Sequence, residues 1–489
     1  MESLVNLSVE ELQSYYLRKP FLNKLYQYYI EQGYYNIISQ QFVYILNNSF
    51  VLFYTLFLVK CVNWHKLIIL SDETLLKDCV NMSNMFKLNF YNFILVISYL
   101  LYLVIKVGVL ISSIYNYKYI KHFYNNILGI GDLDLVNYKW EKIVDKFHKV
   151  YMHNDINVYY INNKITVRDN YFISLVDKDV LEISNLSPLM EWNIKYCFIN
   201  PIFINDYKYN RDFLYLNKKY IGIIQNKLLT VSILNFIFMP ILLPFMLLRS
   251  LFRYGEKFYN NPSLISSKHW THYAKWKFRN YNELYHEFHE KIRNSYVIAN
   301  EYNNQFPIRI ISIFCDLFVF VLSSFFIMLI IVSILNEKAL TNLYIFKSKN
   351  TLWFLGLIAT LIAIMRKSMK EKKIYYPEDK LVGLKKVINC INDVTIKEKK
   401  HKDFFFKLYQ FHVVTFFYDI FYTLMTPFYL YKMYYRAYDI VKFLSDITID
   451  NPKIGHTNMY SIFNRNPDNM KTLLSKETFL INNPNYDIL

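Results

Sequence analysis

The chain has 489 residues, of which 54% are aliphatic, aromatic or sulfur-bearing and only 19% charged, against about 25% charged in ordinary soluble domains. With 46 Tyr, 40 Phe and 6 Trp it carries far too much apolar surface for a disordered chain, and nine Gly and twelve Pro exclude a fibrous repeat or a linker array. The formal net charge of +17 fits anionic lipid better than nucleic acid in a chain with membrane-length apolar runs.

Residues 1–41 read as a short cytosolic segment, with no cleavable signal peptide because no short apolar stretch follows the start. A bilayer core of about 30 Å needs about 20 apolar residues in a helix. Four windows meet that: 42–62, 90–112, 310–335 and 343–365. Two more, 228–248 and 411–435, are apolar but interrupted, the first by Pro240 and Pro244, the second by Asp419 and Pro427. Lys and Arg number 15 in 113–227, 10 in 249–309 and 13 in 366–407, but only three in each of the loops 63–89 and 336–350. The positive-inside rule therefore puts the first three stretches in the cytosol and the two loops in the lumen. If 228–248 crossed, a strongly basic flank would be translocated. It is expected to be a re-entrant pair of half-helices broken at the prolines, and 411–435 to dip in and return likewise.

This divides the chain into a first membrane pair (42–112), a cytosolic region (113–227), a re-entrant element (228–248), cytosolic helices (249–309), a second membrane pair (310–365), a basic cytosolic segment (366–410), a second re-entrant element (411–435) and a cytosolic C-terminal segment (436–489). Within the cytosolic parts, 134–151 places Val136, Trp140, Ile143, Val144, Phe147 and Val150 on one helical face after Asp132 or Asp134. Residues 156–168 alternate weakly about Asn162-Asn163 and read as a short hairpin. Residues 269–305 read as one or two helices, and the Asn- and Pro-rich tail beyond 450 as loose. Five scattered cysteines (Cys61, Cys79, Cys197, Cys315, Cys390) suggest neither a zinc knuckle nor a disulfide framework. No phosphate-binding P-loop occurs, and His286-Glu287-Phe288-His289-Glu290 is not the zinc signature H-E-x-x-H. No cofactor and no metal is expected, and no covalent chemistry.

The stretch 261–307 then resembles the autophagy-related protein 9 family, in Asn261 to Ser263, Trp270, Ala274, Trp276 to Arg279, Asn282 to Leu284, His286, Ser295-Tyr296, Ala299 and Gln305 to Pro307. Trp140 with Ile143-Val144, Asp169 to Tyr171, Glu191 to Asn193, Ile364 to Arg366 and Thr426 to Phe428 fall in the same order, so the likeness covers about residues 35–465. Departures are Asn280, where the family usually has an acidic residue, and the Lys-rich run at 392–402, which replaces a His-Tyr-x-Pro stretch expected near 390–400. The resemblance implies an all-α-dominated integral membrane protein of four transmembrane helices plus two re-entrant helices, assembled as a homotrimer with swapped helices. It further implies an energy-independent phospholipid scramblase in autophagosome formation, on preautophagosomal, Golgi-derived or endosomal membranes. Implied partners are membrane phospholipids, an autophagy lipid-transfer protein and the initiation complex, with no nucleic acid.

Scrambling drags a charged headgroup through hydrocarbon, so it needs a polar path at membrane depth. Lys106 and Asp316 lie at similar distances from the cytosolic ends of their windows. They either pair or line one cavity, or, more blandly, Lys106 snorkels and Asp316 caps a backbone. Lys275, Lys277, Arg279 and Arg366 form a basic set beside the membrane, with Glu283 as counter-charge and Asn282 next to it, suited to lipid phosphates or to ordinary positive-inside roles. Asn81-Met82-Ser83 is a glycosylation acceptor in the expected lumenal loop. Two other function classes suit the same features: an ion channel or ion-coupled transporter built on broken helices, and a scaffold that recruits lipid-transfer partners without scrambling.

Overall fold

The computed structural model describes residues 19–68, 79–151 apart from 86 and 88, 157–205 apart from 184, 208–260, 267–304, 309–336, 341–366 apart from 342, 347 and 348, the pair 383–384, 401–451, 455–464 and 469–484. The motif ends Asn261 to Ser263 and Gln305 to Pro307, and most of the basic run 366–407, lie outside them.

The first membrane pair is a hairpin of α2 (Tyr34–Leu56), which continues as a π-helical turn Phe57–Cys61, and α3 (Phe90–His122). Both helices begin or end beyond the apolar windows because aromatic and polar residues extend them into the helical body, where α1 (Lys19–Ile30) packs against α3. Asn48 is buried between the two and takes a hydrogen bond from Tyr99 Oη on its carbonyl (3.2 Å), an interhelical tie. The second pair is α10 (Arg309–Leu335) against α11 (Thr351–Arg366), with Val319, Ile358 and Ile362 in its seam. The last helix is shorter than the window 343–365, because Tyr344–Phe346 and Lys349–Asn350 form a small hairpin instead.

The expected break at Pro240 and Pro244 does not occur. One helix, α7, runs over Lys218–Asn260 with both prolines inside it. A proline removes only its own N–H, here the donors for the carbonyls of Phe236 and Pro240, and in an apolar setting ending the helix would strand many more groups. Likewise α13 (His412–Tyr435) is one helix through Pro427. The two lie side by side, and Ser232 Oγ on α7 donates to the Pro427 carbonyl at 2.7 Å.

The helical body outside the two pairs holds the main core. Here α4 (Trp140–Tyr151) buries Trp140, Ile143, Val144 and Phe147 as its pattern requires, while Val136 precedes the helix and stays exposed, as does Val150. In place of the hairpin expected at 156–168, residues 158–168 are part of α5 (Val158–Asp177), which is largely buried, and 156 lies outside the described residues. Asn157 caps it, accepting from the Tyr160 amide (2.9 Å), and Asn162-Asn163 make buried tertiary hydrogen bonds rather than a turn. The short α6 (Pro188–Ile194) follows, capped by Ser187.

Residues 269–305 give two helices, α8 (His272–Phe278) and α9 (Tyr285–Asn304). Strand β1 (Lys268–Trp270) pairs antiparallel with β2 (Tyr409–Phe411), His269 opposite Gln410, which ties this region to the start of α13. The tail beyond 450 is not loose where it is described. Strands β3 (Thr448–Asn451) and β4 (Gly455–Asn458) form a hairpin, and α15 (Met470–Asn482) packs on the body after α14 (Ala437–Asp446) has entered the core. The asparagines that read as disorder are caps: Asn458 accepts from the Tyr460 amide and Asn469 from the Lys471 amide.

Candidate functional site

Two polar regions stand out, and they differ in kind. The first is a closed network in the helical body. Asn282 has φ 59°, left-handed backbone that asparagine tolerates better than most side chains. Its amide donates to Asn170 Oδ1 (3.0 Å), its Oδ1 accepts from Asn163 Nδ2 (3.0 Å) and Asn170 Nδ2 (2.9 Å), and its Nδ2 donates to the Ser461 carbonyl (2.7 Å). The residue therefore locks α5, the turn before α9 and the C-terminal hairpin together.

Beside it lies a chain of charges. Arg279 meets Asp169 at 3.0 Å, Asp169 meets Lys195 at 3.2 Å, and Lys195 meets Glu191 at 2.8 Å. Glu191 also accepts from Trp276 Nε1 (2.8 Å) and from His272. Burial alone would push the Glu191 carboxyl up, but the His272 hydrogen bond and the Lys195 ammonium outweigh it and hold it at about 2. Glu283 is not the counter-charge of the basic set. It pairs with Lys291 at 2.6 Å and caps the Asn280 amide at 2.8 Å.

The sequence-nominated residues thus scatter. Asn282, Arg279 and Glu283 are committed to the scaffold. Lys275 is half-buried, its ammonium pKa lowered by burial and held up in part by the Asp419 carboxylate. Lys277 lies over the Phe404 ring at 5.5 Å, and Arg366 is exposed at the end of α11. Lys106 sits over the rings of Tyr102 (5.5 Å) and Tyr44 (5.8 Å), and no ion pair joins it to Asp316, which is exposed on α10. The expected Lys106–Asp316 pair is therefore absent among the described residues. Asn81 is exposed beside the bridge Val62↔Val80, and its side chain accepts from the Ser83 amide (3.2 Å).

The second region is a groove of about 950 Å³ between the α2–α3 hairpin and α6 with α7. One wall is Leu52, Thr55, Leu56, Val59 and Lys60 at the far end of α2, with Val96, Ser98, Tyr99 and Tyr102 of α3. The other comprises Trp192 and Asn193 of α6, Tyr196 just after it, and the α7 face from Lys227 to Pro244, which at ~1.5 Å per residue is about 25 Å long. Trp192 and Tyr196 stack in parallel planes, centroids 5.3 Å apart, and Lys227 Nζ lies 3.8 Å from the Tyr196 centroid. The charged groups among the described lining residues are both lysines, Lys60 and Lys227. None of these residues was nominated from the sequence. The nearest signal was the Glu191 to Asn193 match, which marks α6 without showing what its outer face meets.

Among the described residues, five helical stretches are long and apolar enough to cross a membrane: α2 with its π turn, Val96–Ile127 on α3 and its continuation, the Lys218–Pro240 part of α7, the Ile313–Leu335 part of α10, and α13, with the shorter apolar α11 beside them. Among the described residues no cluster of three or more His, Cys, Asp or Glu is placed to hold a metal ion.

A family model described as Autophagy protein ATG9 matches residues 18–464. Autophagy-related protein 9 of Schizosaccharomyces pombe is 27% identical over 493 aligned positions, covering 94% of this chain and 68% of its own length. That of Kluyveromyces lactis is 26% identical, covering 94% of this chain, which spans only 53% of that relative. The same protein of Dictyostelium discoideum is 26% identical over 93% of this chain and 68% of its own. The solved structure of Schizosaccharomyces pombe Atg9 superposes with a TM-score of 0.70 at 25% identity, over 91% of this chain and 98% of that one. A match across nine-tenths of the residues, in sequence and in fold, leaves one conclusion: the chain belongs to the Autophagy protein ATG9 family.

Proposed function

We propose that this protein moves phospholipids between bilayer leaflets without an energy source, supplying lipid to the growing autophagosomal membrane. The observation that carries the reading is the groove. It joins the membrane-facing side of the cytosolic body, at Trp192, Asn193 and Lys227, to the far ends of α2 and α3 at Lys60 and Val96. Its α7 wall of about 25 Å is close to the ~30 Å thickness of a hydrocarbon core. Amide, hydroxyl and ammonium groups on an otherwise apolar wall suit a headgroup travelling inside while acyl chains stay in lipid, which lowers the cost of carrying charge through hydrocarbon.

The proposed topology keeps both described termini and the body in the cytosol and the loops after α2 and α10 in the lumen, with Asn81 available there to glycosylation. Lys275, Lys277 and Arg366 then face the anionic cytosolic leaflet. We take the assembly to be a homotrimer with swapped helices that works with autophagy lipid-transfer and initiation proteins on preautophagosomal, Golgi-derived and endosomal membranes.

Reconstitution tests the activity. In liposomes with fluorescent phospholipid on both leaflets, a membrane-impermeant reductant bleaches only the outer pool unless lipids exchange. The purified protein should render both pools bleachable without nucleotide. Bleaching confined to the outer pool, with the protein inserted and intact, rejects scrambling and favours a scaffold.

A further inference from the structure

We propose that Asn193 and Lys227 form a binding site for the phosphate of a phospholipid headgroup on the wall of the groove. The inference rests on the groove's being a lipid route and names the subsite where the headgroup is held.

Asn193 is fully buried, yet its side-chain nitrogen has no hydrogen-bond partner. The orientation of the amide is fixed by its neighbour. Asn235 Nδ2 donates to the Val231 carbonyl (2.8 Å) and to Asn193 Oδ1 (3.2 Å), so the oxygen of Asn193 must face Asn235 and its N–H2 must face elsewhere. Asn193 is part of the groove wall, so this unfilled donor lies within that wall. Buried amide donors are almost always satisfied, and leaving one bare is costly enough that an acceptor from outside the chain is the natural partner.

Lys227 lies on the same wall. Its ammonium is held over the Tyr196 ring, and no carboxylate of the described residues forms an ion pair with it. A fixed cation, an unfilled N–H donor and no acidic group make the wall complementary to an anion. Leu234 and Phe238, further along the wall, select an anion carrying hydrocarbon over a free one. A phosphodiester with acyl chains meets both conditions, whereas inorganic phosphate meets only the first.

The test uses the full chain in phosphatidylcholine nanodiscs and a phosphatidylcholine probe with a photo-crosslinker next to its phosphate. Adducts should map to 188–199 and 218–240. Asn193→Leu and Lys227→Met should each reduce them roughly tenfold, the effect of losing a hydrogen bond to a charged group. Lys227→Arg should retain them. A diacylglycerol probe with the same crosslinker and no phosphate should label wild type and variants equally and weakly, and inorganic phosphate should not compete. Adducts that ignore both substitutions, equal labelling by the phosphate-free probe, competition by inorganic phosphate, or a groove filled by a second copy of the chain would each overturn the site. If Asn193→Leu fails to fold, Lys227→Met and Lys227→Arg decide alone. Adducts as expected from a protein that does not scramble would leave the site standing and remove the transport reading.

Discussion

The asparagine network of the helical body and the groove beside α7 both contain buried asparagine amides and put them to opposite uses. Around Asn282, amides close on one another: Asn163, Asn170 and Ser461 supply partners for its backbone amide and for both side-chain polar atoms. In the groove, Asn193 has a spare donor and Lys227 has only an aromatic face. Reciprocal satisfaction makes a polar cluster rigid and specifying, so the first region acts as a clasp. An unfilled donor beside a lone cation is costly to the fold alone, and is explained by something that comes and goes.

The largest expected effect strikes the clasp. Asn282→Ala removes its side-chain bonds, costs Asn163 and Asn170 one partner each and leaves φ 59° on alanine, which tolerates left-handed backbone less well than asparagine. It should destabilise the protein by about 2–4 kcal/mol. Asn282→Gly should be milder by roughly 1 kcal/mol, since only the backbone strain is relieved. Thermal unfolding in detergent measures both, and an unchanged midpoint for the alanine variant would show that the network is ornamental.

A smaller effect tests the rim of the clasp by pH. Burial raises the Glu287 carboxyl to about 7, against the hydrogen bond it accepts from the Leu284 amide (3.0 Å). Between its ordinary value of 4.5 and about 7 the folded state binds more protons than the unfolded state, so this group's contribution to stability falls as pH rises. Glu287→Gln should therefore gain on wild type from about pH 4.5 to pH 7 and hold that gain above it. Melting curves across that range check the sign; a gain that shrinks with rising pH would contradict the assignment.

The smallest effect belongs to Lys106. Its contacts are the Tyr102 and Tyr44 rings, and Tyr102 lines the groove. Lys106→Leu should slow scrambling only about twofold, in keeping with an exposed cation–π contact. Because Asp316 makes no ion pair with it, Asp316→Leu should add to that change without amplifying it. A strongly non-additive double variant would indicate that the two meet across copies of the chain.

The sequence was most informative where one period or one motif sufficed. Hydropathy placed α2, α3 and α10 because a bilayer-length apolar run has few other uses, and the motif around Trp276 to Leu284 marked the scaffold. Roles inside that motif are not legible in one dimension: Arg279 and Glu283 look like surface charges, yet Arg279 turns inward to Asp169, far away in sequence, and Glu283 to Lys291 on the next helix. Pro240 and Pro244 look like breaks in one dimension, since a linear pattern does not reveal the apolar surroundings that favour continuing α7 as one helix. The groove was illegible for a related reason. Asn193 and Lys227 sit on α6 and α7 and become neighbours only when those helices pack, and the donor left over on Asn193 depends on Asn235 having already spent its own.

The claim that the groove is the lipid route is tested most directly by filling it. Thr230 and Leu234 are exposed side chains on its α7 wall, one helical turn apart, and neither belongs to the clasp. A Thr230→Trp, Leu234→Trp double variant should keep the thermal midpoint and oligomeric state of the wild type, yet leave the inner-leaflet pool of fluorescent phospholipid protected in the liposome assay. Full bleaching at the wild-type rate by that variant would contradict the account and place the route elsewhere.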